Sequence, residues 1–149
     1  MERLEQTSCL RFQTFNQRSG NDEPAASVVG EILPGSDFSD YNDKYINHTI
    51  QFTIPSKLPA ETSDRLRDIA LRAYRLLDLS GLARVDFFLD TASGQFYLNE
   101  VNTLPGFTSQ SLYPKLWRAS GLEYAPLLDH LIELAIERHT ERQQQRTTR

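Results

Sequence analysis

Cysteine is almost missing from this sequence: Cys9 is the one thiol in 149 residues. An internal disulfide framework is thereby excluded, and a reducing compartment, the cytoplasm, is expected. A nucleophilic role for Cys9 would need a positioned base, and none accompanies it. Long apolar runs are missing too. No stretch approaches the ~20 residues a membrane-spanning helix needs, and no apolar signal core stands at the N-terminus. Basic runs do not occur before the tail, and the formal net charge is −4, so neither a membrane nor a nucleic-acid partner is expected. No internal repeat is visible.

What is present suits one modest domain with its own core, with 39% hydrophobic and 24% charged residues. Residues 1–20 have no clear period and read as a weakly structured leader. Ser27 to Leu33 is β-rich and closed by Pro34-Gly35, with Gly30 inside it marking a bulge or a close backbone approach. Ser36 to Asn47 is a polar, aromatic-studded loop long enough to be functional. Ile50, Phe52 and Ile54 alternate over Thr49 to Ile54, a strand ended by Pro55. Ala60 to Leu79 has the clearest helical spacing, through Leu66, Ile69, Ala70, Ala73 and Leu77, with Pro59 suited to its first turn and its arginines on a solvated face. A second helix is expected from Ser111 or Pro114 to Gly121. A third spans Pro126 to His139, before a polar, frayed tail over 140–149. Strands followed by helices make the fold class α+β, an antiparallel sheet with helices packed on it.

The stretch from Arg84 to Leu112 organises the rest. Two alternating runs flank Thr91 to Gly94, a hairpin signature. Period-two alternation puts Arg84, Asp86 and Phe88 on one face, and Phe96, Leu98, Glu100 and Asn102 on one face of the partner strand. A fold about Ser93 sets Asp86 opposite Glu100 and Arg84 opposite Asn102. Like charges directly opposite are destabilising. Three outcomes are open: a solvated face, one protonated carboxylate, or a cation between the two. Two carboxylates and an Asn carbonyl are hard oxygen ligands suited to Mg²⁺ or Mn²⁺. Beyond them, Gly106 lets the backbone approach a ligand, and the helix start after Ser111 offers free N–H groups to an anion.

Glu100-Val101-Asn102-Thr103-Leu104-Pro105-Gly106-Phe107-Thr108, preceded by Arg84-Val85-Asp86, resembles the C-terminal signature of D-alanine–D-alanine ligases of the ATP-grasp superfamily. The resemblance runs from about Gly20 to His139, and it implies that residues 21–139 form a C-terminal ATP-grasp lobe. It implies Asp86, Glu100 and Asn102 as ligands of two Mg²⁺ or Mn²⁺ ions, and Arg84 and the Gly106 amide as stabilisers of an oxyanion. Lys44 would reach the transferred phosphate of ATP, Tyr45 would help close the site, and Phe88 would lie near the adenine. Ser111 and Leu112 would hold the carboxylate of the second D-alanine. Lys44-Tyr45 resembles the dipeptide-forming members rather than those that make an ester. The implied reaction is ATP-dependent dipeptide synthesis through an acyl phosphate, serving peptidoglycan precursor synthesis. The family's N-terminal and central lobes have no counterpart here. The chain is therefore expected to be a truncated ligase, one half of a split ligase whose other lobes a separate chain supplies, or a non-catalytic metal- or nucleotide-binding remnant. The full-length family also suggests a homodimer.

Overall fold

The computed structural model describes residues 7–16, 24–33, 51–90 and 92–147. Lys44, Tyr45 and the loop that carries them lie outside the described residues. The strands are β1 (Thr7–Asn16), β2 (Pro24–Ala26), β3 (Gly30–Leu33), β4 (Gln51–Thr53), β5 (Ala83–Asp90) and β6 (Gln95–Asn102). The helices are α1 (Ala60–Leu76), α2 (Leu112–Ala119) and α3 (Tyr124–Thr147). The sheet runs β4-β3-β1-β5-β6, with β2 also paired to β1, and all pairings are antiparallel. The α+β expectation holds. No helix among the described residues is long and apolar enough to cross a membrane.

The strand at the centre is the one the sequence concealed. Thr7–Asn16 falls within the stretch read as a weakly structured leader, yet it pairs with β5 from Thr7↔Asp90 to Thr14↔Ala83 and with β3 from Cys9↔Ile32 to Arg11↔Gly30. Leu10, Phe12 and Thr14 give too short and too polar an alternation to stand out. Pairing on both edges, rather than intrinsic period, makes this strand. The tail also departs from expectation, because α3 continues to Thr147 instead of fraying from Thr140. Its last turns consist of strong helix formers, Glu141 to Arg146, and the Thr140 hydroxyl donates back to the Ile136 carbonyl at 2.9 Å.

The run from Ser27 to Leu33 is not one strand. The ladder breaks over Ser27–Val29 because these backbone groups bond elsewhere. Val28 N–H donates to Ser120 Oγ at 2.8 Å, and the Val29 carbonyl accepts from Ser56 N–H at 2.8 Å. Ser120 in turn donates to the Leu116 carbonyl, so the C-terminal end of α2 is tied onto this break. Gly30 then permits the close approach its position suggested. A Cβ there would meet Leu116 Cδ2 at 2.9 Å, and Leu116 is wholly buried.

One sheet face packs on α1 through Val29, Leu66, Ala70, Val85, Phe87 and Leu89. A second cluster, Tyr113, Trp117 and Leu127, joins α2 to α3. The α1 periodicity found Leu66 and Ala70 but also counted Leu77, which is 54% exposed. Tyr74 takes the buried position instead, and its hydroxyl donates to the Gly81 carbonyl at 2.6 Å. The α1 arginines are largely solvated, but Arg67 Nη2 donates to the Ala26 carbonyl at 3.1 Å and fastens α1 to β2.

Two predictions test this packing. Gly30→Val forces a larger side chain against Leu116 and should lower unfolding free energy by about 1–3 kcal/mol. Adding Leu116→Ala should recover part of that loss, whereas strictly additive losses in urea titrations would contradict the contact. Burial pushes the Tyr74 phenol from its usual 10.0 up to about 12, with Arg138 acting weakly the other way. The folded state then holds this proton where the unfolded chain releases it, so stability falls as pH rises from about 10 to 12. Tyr74→Phe should cost about 1 kcal/mol near neutral pH through the lost hydrogen bond and should show a shallower alkaline loss. An equal alkaline slope in both proteins would contradict the assignment.

Candidate active site

β5 alternates cleanly. Ala83, Val85, Phe87 and Leu89 turn into the core, and Arg84, Asp86 and Phe88 turn to the opposite face. β6 does not alternate cleanly. Its register passes from Asp90↔Gln95, Leu89↔Phe96, Phe88↔Tyr97 and Phe87↔Leu98 to Asp86↔Glu100, Val85↔Val101 and Arg84↔Asn102, with a bulge between Asp86 and Phe87. Asn99 is the extra residue. The expected pairs at Asp86 and Arg84 are therefore present, but the expected single face is not. Phe96 packs with the core on the α1 side, and Leu98 is paired with the inward Phe87. A bulge shifts the period by one residue. It lets β6 pack Phe96 against the core near the turn and still present Glu100 and Asn102 beside Arg84 and Asp86.

Those four residues form one cluster. Arg84 Nε donates to Asp86 Oδ1 at 3.0 Å and to Oδ2 at 3.2 Å, and Arg84 Nη2 donates to Glu100 Oε1 at 2.7 Å. The like-charge conflict of the sequence is thus answered by a cation, the protein's own guanidinium. Burial tends to lower the Arg84 pKa, but hydrogen bonds and charge from Asp86 and Glu100 outweigh it and hold the group above its usual value. The two carboxylates differ in setting. The Asp86 side chain is 1% exposed and that of Glu100 is 52% exposed. Asn102 Oδ1 accepts from Leu104 N–H at 2.9 Å, an Asx-type turn that fixes the amide and starts the following loop.

A small divalent ion suits these donors. Among the described residues no three His, Cys, Asp or Glu side chains converge; the side-chain oxygens on this face are those of two carboxylates and one amide. They occupy adjacent ladder positions on one face, where a cation already stands between the carboxylates. Phe88 continues the same face of β5, half-buried.

The loop after Asn102 holds the other expected groups. Gly106 lies against Ser111, where an added Cβ would approach Ser111 Oγ to 3.2 Å. Ser111 occupies the N-cap position of α2 but makes no side-chain cap bond to that helix. Its hydroxyl instead accepts from Thr108 N–H at 3.0 Å and meets Thr108 Oγ1 at 2.8 Å. Sequence alone marks Thr108 only as the end of the stretch that begins at Glu100. The signal was there, two hydroxyl residues three apart before a helix. Leu112 opens α2, and Phe107 is wedged by rings at 5.3 Å from Tyr113 and 5.5 Å from Tyr124. Lys44 and Tyr45 lie outside the described residues.

Arg84→Met removes a guanidinium partner from the buried Asp86 carboxylate and should destabilise the fold by about 3 kcal/mol. Combining it with Asp86→Asn should return a good part of that loss. A urea midpoint for Arg84→Met equal to that of the unchanged protein would contradict the cluster's electrostatics.

The chain as a whole has known relatives. A D-alanine–D-alanine ligase of Acetivibrio thermocellus is 52% identical over 122 residues, 82% of this chain and 32% of that relative. The chain thus spans about a third of the length of such curated relatives. The solved D-alanine–D-alanine ligase of Coxiella burnetii superposes with a TM-score of 0.78 at 37% identity, over 96% of this chain and 36% of that one. That of Bacillus anthracis, complexed with ATP, gives 0.70 at 29% identity, over 91% and 40%. The family described as D-ala D-ala ligase C-terminus matches residues 17–133. A superposition over nearly the whole chain and a family match across most of its length place this chain in the D-alanine–D-alanine ligase C-terminal family, with the ATP-grasp fold.

Proposed function

We propose that this chain is the catalytic C-terminal part of an ATP-dependent D-alanine–D-alanine ligase that serves peptidoglycan precursor synthesis in the cytoplasm. The observation that carries the reading is the ladder pairing of Asp86 with Glu100 and of Arg84 with Asn102 on one face, in a chain of this family. In the proposed reaction ATP phosphorylates the carboxylate of one D-alanine. The amine of a second D-alanine then attacks the acyl phosphate, forming the amide bond and expelling phosphate.

Asp86, Glu100 and Asn102 would hold Mg²⁺ or Mn²⁺, up to two ions, and their buried and exposed carboxylates suit a site shared with phosphate oxygens. Bound there, the metal supplies charge that offsets the phosphates. The other roles fall to the chain itself. Arg84, held on the sheet by Asp86, would face the negative charge that develops on the tetrahedral carbon's oxygen. The Gly106 amide would donate to the same oxygen. Ser111, its hydroxyl positioned by Thr108, and Leu112 at the start of α2 would receive the carboxylate of the second D-alanine, where free helix N–H groups favour an anion. Phe88 would pack near the adenine. Lys44 would reach the transferred phosphate and Tyr45 would help close the site, favouring a dipeptide product. ATP and the first D-alanine would be positioned by the two lobes found in full-length relatives, supplied in the same polypeptide or by a separate chain.

The test joins this chain to the N-terminal and central lobes of the Acetivibrio relative and measures phosphate release. D-Alanine-dependent release with formation of the dipeptide is expected. Glu100→Ala and Arg84→Met should each lower kcat about a hundredfold, the order of loss for an electrostatic stabiliser. ATP turnover that ignores D-alanine, or full activity in Glu100→Ala, would overturn the reading.

A further inference from the structure

Arg84 bridges two carboxylates unequally. On one side Nε contacts both oxygens of a carboxylate that is 1% exposed, and on the other Nη2 contacts one oxygen of a carboxylate that is 52% exposed. An ion pair open to water is worth little, because both partners are readily solvated. The Asp86 arm has two contacts on a carboxylate shielded from water, where the attraction is least screened. The Glu100 arm is therefore the labile one.

We propose that Arg84 keeps the place of a divalent cation between Asp86 and Glu100, and yields its Nη2–Glu100 bond when such a cation binds while retaining Asp86. This inference rests on the proposed metal reading of Asp86, Glu100 and Asn102. It adds a coupling. The carboxylates on this face are neutralised before metal arrives, so the sheet does not bear the repulsion of Asp86 against Glu100. Loading then frees one end of the guanidinium for charge elsewhere in the site. Metal affinity carries the cost of displacing that end, so the chain should bind metal more weakly than its oxygen donors alone would allow.

The planar guanidinium fork is what lets one side chain reach both carboxylates, and a lysine keeps the charge without the fork. Mn²⁺ is titrated into the full chain and followed by electron paramagnetic resonance in four proteins: the unchanged chain, Arg84→Lys, Arg84→Met and Glu100→Gln. Both Arg84 variants should bind Mn²⁺ about fivefold more tightly than the unchanged chain, the size of one exposed ion pair. Glu100→Gln should abolish the site. The Lys variant keeps a positive charge beside Asp86 and serves where the Met variant fails to fold. An Arg84→Lys affinity equal to that of the unchanged chain would show that charge alone sets the binding, and would overturn the displacement. Mn²⁺ binding that survives Glu100→Gln, or no binding in any of the four, would overturn the metal reading itself and this inference with it.

Discussion

Two carboxylates facing each other across an antiparallel ladder repel, and at Asp86 and Glu100 the repulsion is met by one guanidinium with a donor for each. That constraint orders much of the site. Arg84 must sit two residues before Asp86 to share its face. Glu100 must arrive on that face at the right ladder step, and the strand carrying it must change phase to get there. The bulge at Asn99 satisfies this while leaving Phe96 in the core. A strictly alternating β6 could satisfy one demand or the other, not both. Placing charge and packing apolar surface are thus solved by the same backbone irregularity.

The second organising contact is the meeting of α2 with the broken strand at Ser27–Val29. Ser120 links the α2 carbonyl of Leu116 to the Val28 amide, and Gly30 lets Leu116 lie against the sheet. These contacts hold the helix whose first residues follow Ser111. The loop from Asn102 to Ser111 is therefore anchored at both ends, by the Asx-type turn at Asn102 and by the Thr108–Ser111 hydroxyl pair. A loop with both ends fixed can present a glycine amide and a serine hydroxyl at reproducible positions.

How far the sequence could be read depends on how local each determinant is. The hairpin, the Asp86–Glu100 pairing, α1 and the special place of Gly30 were legible, because each is written in a short run of residues. The relation to ligases was legible from the stretch around Glu100 to Thr108. Other features were not. The phase change in β6 leaves no mark on hydrophobicity, since Asn99 is polar whichever way it points. Tyr74 was hidden because its burial depends on an acceptor, the Gly81 carbonyl, beyond the end of its helix. β1 was hidden because its identity as a strand comes from two partners far away in sequence. Lys44 and Tyr45 were singled out by resemblance alone and lie outside the described residues.

The position of β1 has a consequence for how the chain reaches its fold. β5 and β6 are joined by a short turn, so their hairpin closes cheaply and quickly. β1 must instead find β5 across most of the intervening chain, pairing Thr7 with Asp90, and such distant contacts are entropically slow. Until β1 inserts between β3 and β5, the strand edges it will cover stand open to any extended segment nearby. Assembly of this sheet is therefore a competition between the correct central strand and pairing with another chain. The outcome depends on protein concentration during folding as much as on the stability of the finished sheet.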